Sequence, residues 1–402
     1  MRSKIIWFWT LVLLLLLSSS VKAGAADVPG ITKDTILVGA SQPFTGPLAS
    51  IGEACEAGIM SYLNPINEQG GIYGRKIKYK TEDNGFDPGK GIAGTKKLVE
   101  LDKVFALLTP LGLPPVLAII PYTVENGVPL LFPYTPASEP TTPFKKNIFM
   151  ITPSIYRQFY FIADYGLKVL GAKKVCQIHM MGPGMQAAPQ AGDDRCAEAG
   201  LKPLTEFFKS GQTDFSSLVL RLKAADPDFA ILGGVAVPAS LIMKESEKQG
   251  WKPRFGFMTH ATNVDPEFVR LGGSAIEGLM ALEFAEPPAE SNKPSVIEFR
   301  QRLKKYYPKI PPGQFALHGY IAAKLFCEGM KKAGPDPTRE KLTEALESLK
   351  NYDIGVMPPL SFSPTQHMGL ANARVTKVKG GKFQSFTDWM SLPDKEWMPT
   401  KK

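Results

Sequence analysis

His179 and His260 are the side chains of this sequence best placed to do chemistry, because each stands beside sulfur: Met180 and Met181 follow the first, and Met258 lies two residues before the second. Imidazole and thioether together suit a soft, copper-like ion. The same residues also suit a pocket for an uncharged molecule, in which methionine adapts to an irregular apolar shape and a neutral imidazole offers one donor and one acceptor. The second use is the expected one, with no metal and no cofactor. His318 and His367 have no such company, and none of the four cysteines has an evident histidine partner. The chain carries no Gly-x-Ser-x-Gly elbow, no His-Glu-x-x-His pair and no Gly-x-x-x-x-Gly-Lys loop, so an enzyme is not expected.

The first 26 residues point to export. Arg2 and Lys4 precede an uncharged apolar run over 5–17, and Ala23-Gly24-Ala25 supplies small residues for a signal peptidase. That run is shorter than the roughly 20 residues that span a bilayer, so cleavage near residue 26 and a soluble periplasmic protein are expected. The formal charge of +9 falls to about +6 once Arg2, Lys4 and Lys22 leave. The basic pairs that remain, such as Lys96-Lys97 and Lys304-Lys305, are scattered among acidic residues, so nucleic acid is not an expected partner. In an oxidising compartment the cysteines can pair. Cys176 lies near the start of a strand over 175–180 and Cys196 near the end of the following helix. A helix returning along its strand brings those ends together, and a Cys176 to Cys196 disulfide is expected; the relation of Cys55 to Cys327 stays open.

Strands and helices alternate from the start. Strand-like stretches at 35–41, 76–81, 104–108 and 128–132 are separated by helical ones at 52–67, 87–102 and 116–126. The rhythm restarts after Pro153, with strands at 174–180, 204–208, 229–233 and 254–259 and helices between them. Short apolar strands between amphipathic helices mean parallel sheets covered on both faces, an α/β architecture. Two such units in tandem suggest two lobes with a cleft between them. The last third is helical at 294–306, 315–332 and 339–350 and strand-like at 356–362 and 374–379, with a hairpin at Gly380-Gly381; these elements complete the two lobes.

Thr45-Gly46-Pro47-Leu48-Ala49-Ser50-Ile51-Gly52, then Asn67-Glu68-Gln69-Gly70-Gly71-Ile72-Tyr73-Gly74-Arg75, then Glu82-Asp83 and Asp87-Pro88 resemble the opening of the type I periplasmic binding proteins of the leucine/isoleucine/valine-binding group. Thr213-Asp214-Phe215-Ser216-Ser217-Leu218 with Asp228-Phe229 and Gly233-Gly234 resembles their second lobe. The resemblance implies two Rossmann-like lobes with central parallel sheets, joined by a three-segment hinge with crossings near 151–155, 281–285 and 355–359. Lobe one would be 27–152 plus 284–355, and lobe two 153–283 plus 356–402. It also implies a monomeric receptor that closes on a small molecule and delivers it to the membrane permease of an ABC importer; a branched-chain amino acid or amide binder, or a receptor feeding a membrane sensor, is the alternative, and the sequence does not separate a sensor's receptor from an importer's.

In such sheets the ligand sits beyond the carboxyl ends of the strands. Family receptors for aliphatic amino acids place a hydroxyl residue, an acid and tyrosines there; this chain has Leu113, Thr259, Val235 and Ile51 at the matching positions. A buried ammonium without a carboxylate costs several kcal/mol, so a free amino acid is not the expected ligand. The expected walls are Phe44, Leu48, Ile51, Leu113, Tyr134, Met181, Met185 and Val235, with Thr45, Thr135, Ser138, His179, Thr259 and His260 as polar groups. Such a site suits a largely apolar solute, an aromatic or aliphatic acid or a similar molecule.

Overall fold

The computed structural model describes residues 28–46, 48–182 and 186–396; the expected signal segment, Pro47 and Met185 lie outside the described residues. The first sheet runs β2-β1-β3-β4-β5, all parallel, from β1 (Thr35–Gln42), β2 (Lys76–Asp83), β3 (Ala106–Leu108), β4 (Leu130–Leu131) and β5 (Ile148–Phe149). Its inner strands are apolar on both faces because helices cover both.

Helix Gln314–Ala333, from the last third of the chain, packs against helix Ala49–Glu68 on this sheet. The two backbones come so close that a β-carbon at Gly58 would lie 1.9 Å from the Ala316 carbonyl oxygen, and one at Gly319 2.2 Å from that of Cys55. Glycine is required at both positions by that approach.

The second sheet runs β12-β11-β10-β9-β8-β6-β7, with a short β13 (Met390–Ser391) on β11. Its parallel part is β6 (Val175–Met180), β7 (Leu204–Phe208), β8 (Phe229–Leu232), β9 (Phe257–Thr259) and β10 (Met280–Glu283). β11 (Asn372–Lys379) and β12 (Lys382–Ser385) add antiparallel strands joined by the Gly380-Gly381 hairpin. Phe215, Leu218, Val219 and Leu222 bury one stripe of helix Ser216–Ala225, as their spacing indicates.

Two expectations are corrected here. The four cysteines are free and buried. Side chains alternate along a strand, so Cys176 shares its face with Ile178 and packs in the core beside Ala230 and Leu232, whereas Cys196 packs with Val175 on the opposite face. The helix does return along its strand, but the sheet separates the two thiols. Second, residues 356–362 form no strand. Val356, Met357, Leu360, Phe362 and Leu370 belong to the core of the first sheet, and the chain joins the second sheet only at Asn372. The chain thus passes from the core of the first sheet to the second sheet near Ala371. The other two crossings lie between β5 and helix Ile155–Asp164, and after β10.

Candidate functional site

A cavity of about 210 Å³ lies between the sheets, beyond the carboxyl ends of their parallel strands. The first half supplies Leu48 and Ile51 from the start of helix Ala49–Glu68, Phe86 from the loop after β2, Leu111 to Leu113 after β3, Tyr134 and Pro136 after β4, and Phe315 from helix Gln314–Ala333. The second supplies Ile155 and Phe159 from helix Ile155–Asp164, His179 and Met180 from β6, Ala188, Gly234 and Val235 after β8, and His260 and Thr262 after β9. None of these side chains carries a formal charge. Gln314 Nε2 donates to the Thr262 carbonyl at 2.6 Å and ties the two halves beside the cavity.

Of the thirteen described residues expected from sequence, Met185 lying outside them, the structure brings Leu48, Ile51, Leu113, Tyr134, His179, Val235 and His260 together around the cavity. Four expected hydroxyls bond elsewhere. Thr45 donates to Asp83 at 2.6 Å and Ser138 to Glu396 at 2.8 Å, Thr135 accepts from the Ala137 N–H at 3.3 Å, and Thr259 donates to the Leu232 carbonyl at 2.8 Å. Phe44 is half-buried, its N–H bonded to Asp83, and does not line the cavity. Met181 is 47% exposed and Met180 takes its place.

Sequence reasoning missed Phe86, Phe159 and Phe315. Phe159 joins the two histidines: its ring lies 5.0 Å from that of His179 and 5.4 Å from that of His260. β8 stands between β6 and the strand before His260, so their strands are not neighbours. Burial drives the His179 pKa down to about 3 and that of His260 to about 4, so both rings are neutral at neutral pH. Among the described residues no cluster of three or more His, Cys, Asp or Glu is arranged to hold a metal.

Three of the helix amino termini at the cleft are poor in donors. A first turn exposes unpaired N–H groups that attract anions. In helix Leu113–Glu125 two of them are replaced by Pro114 and Pro115, and Pro189 and Pro238 remove one each from helices Ala187–Glu198 and Ala236–Lys248.

One parallel sheet, a second that is parallel but for its β11 to β13 edge, three crossings and a cavity at the strand ends define a bilobal solute-binding fold. The chain belongs to the periplasmic binding protein family, whose model matches residues 35–382. It is 25% identical over 370 residues to Leu/Ile/Val-binding protein homolog 3 of Brucella melitensis, covering 91% of this chain and 98% of that one. Among solved structures it resembles a branched chain amino acid ABC transporter protein from Thermus thermophilus with bound valine, at TM-score 0.79 and 20% identity, covering 90% of this chain and 97% of that one. A fatty acid ABC transporter substrate-binding protein from Thermomonospora curvata matches at TM-score 0.77 and 22% identity, covering 92% and 95%. These relatives are substrate-binding proteins, not enzymes.

Proposed function

We propose that this protein is the receptor of an ABC importer for a largely apolar small molecule, exported to the periplasm with removal of about the first 26 residues. Residues 28–152 with 284–370 would form one lobe and 153–283 with 372–396 the other, and closure about the three crossings would seal the solute between them. The observation that carries the solute class is the lining of the cavity: no charge, three phenylalanines, and mostly apolar side chains around the Tyr134 and Thr262 hydroxyls and two neutral histidines. A zwitterion needs a carboxylate for its ammonium, and the walls supply none. Burying an apolar ligand yields about 25 cal/mol per Å², which supports micromolar binding with one or two hydrogen bonds. The same fold carries both a valine complex and a fatty acid transporter protein, so the fold accommodates either class. The test is to purify the protein without added solute, denature it and identify what it releases by mass spectrometry. A largely apolar compound is the expected release; leucine, isoleucine or valine would overturn the reading.

A further inference from the structure

The two imidazoles of the cavity, His179 and His260, have fixed hydrogen-bonding roles at one nitrogen each. Gln177 directs its amide nitrogen at the Pro189 carbonyl, the Asp193 carboxylate and the Thr205 hydroxyl, at 3.2, 2.7 and 2.9 Å. Its carbonyl oxygen is therefore the atom 3.0 Å from His179 Nε2, and His179 carries its proton there. His179 Nδ1 faces the main chain of Gly233, where a β-carbon would lie only 2.6 Å from it.

His260 is held in the same way. Its Nε2 is 2.9 Å from the Gly234 carbonyl oxygen, which only accepts, so His260 is also protonated on Nε2 and its Nδ1 is a bare lone pair. That nitrogen is buried and has no hydrogen-bond partner among the described residues, on a side chain only 5% exposed that lines the cavity. A buried acceptor left unpaired is unfavourable, and a donor brought by the ligand would pair it. A carboxylate would meet that lone pair with its own, beside helix termini thinned of N–H groups by Pro114, Pro115 and Pro238.

We infer that the ligand is an uncharged molecule whose apolar body fills the cavity and whose hydroxyl or N–H group donates to His260 Nδ1, as a phenol or an alcohol would. This rests on the reading of the cavity as the solute site, and it narrows the aromatic or aliphatic acids expected from sequence to their neutral, donor-bearing counterparts.

Calorimetric titration with 4-ethylphenol, its methyl ether 4-ethylanisole and the 4-ethylbenzoate anion tests it, on the wild type and on His260→Phe. The phenol should bind at least about tenfold tighter than the ether, since a hydrogen bond to a buried acceptor is at stake, and tighter than the benzoate. His260→Phe should bring the phenol-to-ether ratio close to one; a ratio set by ligand size alone would persist. Equal binding of phenol and ether by the wild type, tightest binding of the benzoate, or an undiminished ratio in the variant would each overturn the inference while leaving an apolar solute site standing. If none of the three binds, the cavity reading fails and this inference with it. Should His260→Phe not fold, the wild-type ratio decides.

Discussion

Arg374 and Glu283 face each other in the antiparallel ladder of β11 and β10, and the guanidinium Nε donates to Glu283 Oε2 at 2.6 Å. The same guanidinium reaches both oxygens of Glu286, at 3.3 and 3.0 Å, and lies 4.2 Å from the Trp389 ring. Glu283 ends the strand from which the chain crosses back to the first sheet, so this buried network sits at the base of the second crossing. Burial pushes the Glu283 pKa up to about 7 even beside the arginine, and its Oε1 has no partner among the described residues.

Replacing Arg374 by methionine strands Glu283, while Glu286 keeps Lys293 at 2.7 Å. The expected loss of stability is about 3–5 kcal/mol in urea unfolding at pH 8. It should be smaller at pH 6, where Glu283 takes up a proton more readily. A loss below about 1 kcal/mol at both pH values would show that the network contributes little.

Acid should destabilise the protein well above the carboxylate range. Burial lowers the His179 pKa to about 3 and those of His260 and His318 to about 4, against the ordinary 6.5. Between pH 6.5 and 4 the unfolded chain binds protons that the native rings refuse, so stability is full above 6.5 and falls with pH. Glu283, raised to about 7, works in the opposite direction: its contribution is present below its ordinary 4.5 and lost as pH rises through 7. Three histidines against one glutamate leave a net loss of about 3 kcal/mol from pH 6.5 to 5, the slope reaching its full value only once the histidines of the unfolded chain are mostly protonated. Denaturation midpoints that stay flat over that range would contradict it.

Much of this architecture is legible in the residues. Apolar strands of four to eight residues between amphipathic helices require parallel sheets, and loops at strand ends brought Ile51, Leu113 and Val235 to the cavity. The failures have local causes. Val356, Leu360 and Phe362 look like strand residues, but Pro358 and Pro359 between them have no N–H for a ladder, and the segment packs irregularly on the first core. Thr45, Thr135, Ser138 and Thr259 looked available because they stand in strand-end loops; short hydroxyl side chains there bond local main chain or a nearby acid. Phe159 and Phe315 sit on helices, where tertiary packing decides which residues of the first turns meet the cleft.

Gly233 should not tolerate a side chain. A β-carbon there would lie 2.6 Å from His179 Nδ1 and 2.8 Å from the Ile178 carbonyl oxygen. Gly233→Ala is expected to cost about 1–3 kcal/mol and to weaken solute binding by displacing the His179 ring. A variant with wild-type melting temperature and affinity would place the ring elsewhere.

The thiols offer a direct check of the second sheet. Cys176 and Cys196 lie on opposite faces, and all four cysteines are free. Protein purified without reductant should titrate four thiols per chain in denaturant and react slowly when native, since burial raises every thiol pKa, that of Cys196 to about 11. Finding two thiols would restore the disulfide.

The central claim is that the cleft takes an apolar solute and rejects a zwitterion. Isothermal calorimetry of the ligand-stripped wild type with leucine, run beside 4-ethylphenol, tests it most directly. The account predicts no heat of saturable binding for leucine, saturable binding for the phenol, and weaker phenol binding in Leu113→Asp, where an unpaired charge enters the wall. Submicromolar leucine binding with no response to the phenol would contradict it.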